Sequence, residues 1–399
     1  MSFRVAPPGL FQVEITNVCN IDCAMCARPA GLNRNIGHMD LGLFKTIVDQ
    51  SRVNQMPIHW FHHFGETLAY PHLREALSYF KEHGYGPGRV STNAILLNDE
   101  KIDLLLENAS YVLCCLDSMQ PDAYRKIRNN NHFEKVKDNI SNFIRENERR
   151  GSNTTIVVQF LRTSYNQDED FSMMAEHFGR HQNVKFIEKR TDKHPNGGDL
   201  TLFLPEDEVE NRRNCVKLKT ELCILVDGTC VPCCWDAKGE QPIGKVPDED
   251  IGAIWHGHRH REMQRQLKDG VNGKLSLCDR CAGPVSDSLF GIAERINAWA
   301  GEWARDKRRV VLAPTNPMIL KLLENTALRD VNVVALADRE PRGKTSSHGI
   351  PVVSYDEIGA FAPDLMFVFS PAYSSEIYFD QRHWREKGLE LVVLGGYLD

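Results

Sequence analysis

Apolar and polar positions follow two rhythms along the first 190 residues. Short β-branched and aromatic runs occur at residues 10–16, 58–64, 89–92, 111–116, 155–161 and 184–188. Longer amphipathic stretches at 41–50, 71–83, 123–149 and 168–178 separate most of them. Strand-type runs alternating with helical ones predict parallel βα units with helices outside the sheet. Sheets of this kind carry ligands at the C-terminal ends of their strands. The turn-rich Lys-His-Pro-Asn-Gly-Gly tract at 193–198 closes the region. Residues 205–285 show little periodicity, and 286–307 read as a linking helix. A second alternation begins at 308, with strands at 310–313, 331–337, 365–370 and 390–394 and helices at 317–325 and 355–360. The expected fold class is α/β: a partial barrel over 1–198, a small cysteine-rich α+β domain over 199–300 and a small α/β domain over 301–399.

Composition narrows the function classes. Lys plus Arg total 48 against 54 Asp plus Glu, a net charge of −6. A mildly acidic chain has no global field for nucleic acid or an anionic membrane. No apolar run reaches the ~18 residues of a membrane-spanning helix, and residues 1–9 lack the pattern of a signal peptide. The expected address is the cytoplasm. In that reducing compartment twelve cysteines read as metal ligands rather than as a disulfide scaffold.

Cys19, Cys23 and Cys26 follow the first strand at the spacing C-x3-C-x2-C. Three thiolates on one loop can hold three irons of a [4Fe–4S] cube and leave the fourth open to an outside ligand. A zinc site prefers paired C-x2-C units and four protein ligands, and no fourth Cys or His follows nearby. Seven cysteines fall between 205 and 285, in a segment whose core needs a metal to close. Cys223 opens the run C-I-L-V-D-G-T-C-V-P-C-C-W-D, in which Asp227-Gly228 suits a tight hairpin. Cys278 and Cys281 form a terminal C-x2-C.

The cysteine triplet, together with His62-His63-Phe64-Gly65-Glu66-Thr67, Ser91-Thr92-Asn93 and Leu116-Asp117-Ser118 at successive strand ends, resembles the radical S-adenosylmethionine (SAM) superfamily. The resemblance covers residues 10–190. It implies a partial (β/α)6 barrel whose cluster binds SAM through the open iron. Reduction then yields a 5′-deoxyadenosyl radical that takes a hydrogen from substrate. It also implies an external electron donor such as flavodoxin or ferredoxin. Gly65 and Glu66 match the family's Gly-Gly-Glu-Pro motif, with Phe64 and Thr67 at its first and last positions. The resemblance assigns these two, with Ser118, Arg128 and Gln159, to the surroundings of SAM. Ordinary structural roles compete for each: a turn glycine, a helix N-cap serine, a solvated arginine, a satisfied core amide.

The late cysteines resemble the twitch form of the SPASM extension, which holds one auxiliary [4Fe–4S] cluster on four thiolates. The resemblance implies Cys215, Cys233, Cys278 and Cys281 as ligands, with Cys223 the alternative to Cys215. If residues 233–234 are extended, Cys233 and Cys234 point to opposite faces, so only one ligates. A zinc ribbon is the competing reading. Residues 308–399 are similar to Rossmann-like domains appended to sugar-modifying enzymes, but they lack G-x-G-x-x-G, so nicotinamide binding is unsupported.

The cofactors implied are SAM and two clusters, and the substrate is a carbohydrate-like small molecule. The resemblance extends to aminocyclitol and aminoglycoside dehydrogenases. There, hydrogen abstraction, proton loss and electron transfer to the auxiliary cluster turn a secondary alcohol into a ketone. The protein's share is placement and a proton acceptor, for which Glu188, Arg190 and Arg162 at strand ends are candidates. Epimerisation with a thiol from Cys223, Cys230 or Cys234, radical dehydration and peptide maturation are alternatives. A non-enzymatic zinc protein is the reading from a different class, and iron analysis separates it from the others.

Overall fold

The computed structural model describes residues 10–190, 195–198, 215, 217–269, 275–281, 289–341, 348–369, 377, 381 and 383–394. Chain contacts divide the protein into two compact units, one of Met1–Val184 with Arg190–Pro284, the other of Lys185–Lys189 with Val285–Asp399.

In the first unit, β1 (Leu10–Val13) leads into the cysteine loop. Three parallel strands follow in sequential order, β2 (Gly88–Thr92), β3 (Ala109–Cys115) and β4 (Thr155–Arg162); the next strand in the chain is β5 (Val184–Arg190), most of which groups with the second unit. The strand expected at 58–64 is present only as a bridge between Gln12 and Trp60. It is nonetheless held on both sides. Val13 N donates to Trp60 O (2.9 Å) and Phe61 N to Arg89 O (3.1 Å). The ladder stops there because the chain turns at His62–Gly65 toward the cysteine loop.

Helices cover the strands through apolar stripes. The helix Leu41–Val53 buries Phe44, Ile47 and Val48 and is capped by Asp40, whose carboxylate accepts from Leu43 N. Each such side chain stabilises the fold by roughly 1.5–3 kcal/mol. The helical stretch expected at 123–149 is two helices, Pro121–Arg128 and Phe133–Arg149. Asn129, with φ 52°, takes the left-handed conformation that ends the first. The helix Asp99–Asn108, capped by Asn98, has no counterpart in the sequence expectations.

The cysteine-rich segment continues the sheet of β1. Strand β6 (Glu221–Ile224) pairs parallel with β1, Leu10 facing Glu221 and Val13 facing Ile224. Strands β7 (Thr229–Val231) and β8 (Gly244–Lys245) add antiparallel. The hairpin turns at Asp227-Gly228 as its sequence predicts. Gly228 has φ +84°, and a Cβ there would lie 2.1 Å from the Val246 carbonyl oxygen, so the turn requires glycine.

The second unit is built on β9 (Arg309–Ala313), β10 (Asn332–Asp338), β11 (Val352–Ser354), β12 (Leu365–Phe369) and β13 (Glu390–Leu394). They form one sheet in the order β11-β10-β9-β12-β13, every pair parallel. The strand β11 has no counterpart among the expected elements. Both faces are apolar. Val310, Leu312, Leu336 and Phe367 pack on one, and Val311, Ala313, Ala335 and Met366 on the other. That double burial is why these strands read as continuous hydrophobic runs. Among the described residues no helix is long and apolar enough to cross a membrane.

Candidate iron–sulfur centres

Cys19, Cys23 and Cys26 sit on the loop that leaves β1, and none of the twelve cysteines is in a disulfide. Burial pushes the Cys26 thiol up to about 11, and the neighbouring Cys23 and Cys19 add to the rise. Burial also raises Cys19, with Glu66 and Cys23 contributing. The Cys19 and Cys26 thiols are therefore costly to ionise alone. Coordination to a cationic iron centre relieves that cost, since the thiolate is the metal ligand. The donor set fits a cluster that leaves one iron open.

The chain around the loop is fixed from several sides. Gly65 runs against the start of the loop: a Cβ on it would lie 2.2 Å from the Thr16 carbonyl oxygen. Glu66 N donates to Val18 O (2.9 Å), one residue before Cys19. The Glu66 carboxylate is buried and accepts from Thr92 Oγ1 (2.7 Å), Asn93 N (2.8 Å) and Leu68 N (3.0 Å). Burial raises its pKa despite those three donors. Asn93 Nδ2 in turn donates to Asn20 Oδ1 (2.8 Å) and lies 3.9 Å from Cys19 Sγ. Glu66 is thus a brace between the end of β2 and the loop.

At the end of β3, Asp117 is fully buried with φ +71°. It pairs with Arg128 and accepts from Gln159 Nε2 (3.0 Å). Arg128 Nη1 points at Cys23 Sγ (3.4 Å) and Nη2 donates to Cys115 O (3.0 Å). Ser118 is buried, its Oγ 2.7 Å from Glu169 Oε2. Glu66, Ser118, Arg128 and Gln159 therefore all have protein partners, and Gly65 packs against the start of the cysteine loop. Asn93 and Asp117 stand in the strand-end motifs but had no role of their own assigned from the sequence, and Glu169 was not marked at all. A lone carboxylate or amide at a strand end carries no spacing signal.

The three residues expected to handle protons fall differently. Arg162 Nη1 donates to the carbonyls of Asn166 (2.6 Å), Gln167 (3.2 Å) and Glu169 (2.7 Å). It ties down the segment after β4. Glu188 lies in the five-residue stretch that groups with the second unit. The side chain of Arg190 lies outside the described residues.

The late cysteines gather in the first unit. Burial first, then Cys215 and Cys281, push Cys278 up to about 12, so the distant Cys215 is a neighbour of the C-x2-C pair. Cys223 is buried and donates to Gln12 Oε1 across the β1–β6 pair (3.3 Å). This placement favours Cys215 over Cys223. Ligand atoms of Cys233, Cys234 and Glu221 all lie within 4.8 Å of one another. The expectation that Cys233 and Cys234 face opposite ways is corrected: residues 232–235 form a bend and turn, not an extended strand. Lys217 Nζ contacts Glu221 Oε1 (2.8 Å) and lies 3.5 Å from Cys234 Sγ. Gln241 caps Ser276–Arg280 by accepting from Ser276 N (3.0 Å) and Leu277 N (3.2 Å), which turns its amide nitrogen toward Cys278.

A buried ionic network connects the two cysteine regions. Arg34 grips Glu14 with two bonds of 2.6 Å and donates through Nε to Ala237 O (2.6 Å). His63 Nδ1 lies 3.4 Å from Glu14 Oε1, and its Nε2 is 2.5 Å from Cys234 O. Burial would raise the Glu14 pKa, but His63 and Arg34 outweigh it and hold the carboxyl below its ordinary value.

Comparison with known proteins agrees with this geometry. Residues 13–163 match the radical SAM superfamily, and residues 215–282 match the SPASM iron–sulfur cluster-binding domain. The S-adenosyl-L-methionine-dependent 2-deoxy-scyllo-inosamine dehydrogenase of Niallia circulans is 21% identical over 277 residues, 68% of this chain and 92% of that protein. A probable GTP 3′,8-cyclase of Methanothermobacter thermautotrophicus is 20% identical over 266 residues, 57% of this chain and 84% of that protein. The structure of Streptococcus suis SuiB bound to its precursor peptide SuiA superposes with a TM-score of 0.52 at 12% identity, covering 66% of each chain. The two domains together bring SAM and two [4Fe–4S] clusters. The chain thus carries a radical SAM domain over residues 13–163, followed by a SPASM iron–sulfur cluster-binding domain over residues 215–282.

Proposed function

We propose that the protein oxidises a secondary alcohol of a carbohydrate-like small molecule to a ketone, with the auxiliary cluster as electron acceptor. The observation that carries this reading is the pairing of β1 with β6. The strand that feeds the SAM-cluster loop and the strand that opens the auxiliary hairpin are neighbours in one sheet. Glu14, Arg34 and His63 lock the same junction. The triplet loop leaves β1 and Cys233 follows β7 of the same sheet, which suits electron transfer from a substrate between two clusters, since rigid elements hold such sites best. The dehydrogenase relative, matched over 92% of its length, supports the reaction class.

When bound, the first cluster and SAM supply a radical able to abstract hydrogen from an unactivated C–H bond. The chain supplies placement. Gly65, Glu66, Ser118 and Gln159 are the proposed surroundings of SAM, and Cys215, Cys233, Cys278 and Cys281 the proposed auxiliary ligands. Of the residues considered for the substrate proton, the two arginines suit the task less, because an arginine stays charged at every working pH. The second unit, with β9 central and β12 beside it, is proposed as a Rossmann-like domain. Its proposed role is docking or stabilisation, and the alternative is a sugar or nucleotide ligand held where the strand order reverses.

A second reading, epimerisation, is favoured by Cys234, a half-buried thiol beside Lys217. One experiment separates the two. Reduced holoenzyme is incubated with SAM and a panel of aminocyclitols and sugar alcohols, and products are weighed by mass spectrometry. Oxidation gives a product two hydrogens lighter than its substrate. An isomeric product that takes up one solvent deuterium overturns oxidation in favour of epimerisation.

A further inference from the structure

We infer that Arg128 is a positioning residue for the SAM-binding cluster: held by Asp117 and the Cys115 carbonyl, it donates to the Cys23 sulfur and raises the cluster's reduction potential. The inference rests on the reading of Cys19, Cys23 and Cys26 as the cluster loop. It departs from the role in SAM binding that the family resemblance gives Arg128.

Arg128 is the last residue of the helix Pro121–Arg128 and is 7% exposed. Its guanidinium is spoken for on three sides. Nη2 donates to Cys115 O (3.0 Å) and pairs with the Asp117 carboxylate, and Nη1 lies 3.4 Å from Cys23 Sγ. Asp117 is in turn fixed by Gln159 Nε2 (3.0 Å) on β4, and its backbone N donates to Gln159 O (2.8 Å). The neighbouring backbone repeats the connection, since Ala24 N in the cysteine loop donates to Ile127 O (3.0 Å). The helix end and the loop are therefore docked by two independent contacts. A planar fork with several fixed donors suits this task, which a lysine cannot reproduce while keeping all partners.

The electrostatic consequence has one sign. Reduction adds one electron to the cluster, from an outside donor and with no proton taken up. The thiolate-ligated cluster becomes more negative. An adjacent guanidinium with an N–H aimed at a ligand sulfur stabilises the reduced form more than the oxidised form. Hydrogen bonds to cluster sulfurs and local charge are known levers on potential.

The test is a dithionite redox titration of the reconstituted holoenzyme without SAM, followed by electron paramagnetic resonance. The SAM-binding cluster is identified by the change in its signal when SAM is added afterwards. Wild type, Arg128→Lys and Arg128→Met are compared, with iron content measured on each. The expected result is a midpoint shifted to more negative potential in Arg128→Met, with Arg128→Lys between it and wild type. Equal midpoints in all three overturn the inference, and weaker SAM binding with equal midpoints assigns Arg128 to SAM instead. If Arg128→Met fails to hold iron, Arg128→Lys decides: a midpoint below wild type supports the inference and an equal one overturns it. A wild-type protein with no iron on the triplet would instead remove the cluster reading beneath the inference.

Discussion

At the scale of single residues, the site is built from groups that hold other groups. Glu66 shows this best. Sequence motifs mark it as a cofactor residue, and the fold shows what its carboxylate already does. It accepts three bonds from Thr92, Asn93 and Leu68 and so joins the end of β2 to the cysteine loop. Replacing Glu66 with Gln turns one acceptor oxygen into a donor facing a donor. An unsatisfied buried group costs about 1–3 kcal/mol. Glu66→Gln should lower the unfolding free energy of the anaerobic holoenzyme by that amount, read as a lower denaturant midpoint, and an unchanged midpoint would contradict the bracing role. The cysteine triplet and the terminal C-x2-C stood out in the sequence as candidate ligands because their spacing is short and chemically distinctive. Asp117 did not, because its partner Arg128 is eleven positions away and the contact exists only once β3 and the helix are packed. Arg162 could be noticed as a strand-end cation, but its grip on three carbonyls depends on a loop path that no periodicity encodes.

At the scale of elements, the junction between β1 and β6 matters most, and Glu14 sits in it. Glu14 accepts from Arg34, Phe64 N (3.3 Å) and Val226 N (3.2 Å), and His63 lies beside it. Its folded pKa lies below the ordinary 4.5. A carboxylate of that kind contributes stability that is present above 4.5 and lost as pH falls through its folded value. Glu14→Gln should therefore destabilise the protein by about 3–5 kcal/mol at neutral pH, the cost of breaking a buried pair. The gap to wild type should narrow on acidification below 4.5. Chemical denaturation across pH checks both parts, and a gap that is absent, or that stays constant as pH falls, would contradict the role. The elements themselves were readable where patterning is strong, as in β2 to β5, in β9, β10, β12 and β13, and in the hairpin at Asp227-Gly228. Three departures have local causes. Asn129 breaks one helical pattern into two. The strand at Trp60 is reduced to a bridge because the chain leaves for the cysteine loop. Residues 232–235 bend, so Cys233 and Cys234 come together rather than apart.

At the scale of the whole molecule, one compact unit carries both cysteine sets and a second carries a fully parallel sheet. The cluster chemistry was legible because thiolates must be gathered to bind iron, and gathering leaves a spacing in the chain. The substrate was not legible. Specificity lies in the shape and polarity of a pocket, and these arise from residues on many elements. The proposed oxidation needs two clusters in one protein, the second accepting an electron. Iron and sulfide per chain, measured after anaerobic reconstitution of wild type and of Cys233→Ala, test it most directly. Two cubes predict about eight irons in wild type falling to about four in the variant. About four irons in both would contradict the account, leaving the late cysteines without a cluster and the oxidation without its electron acceptor.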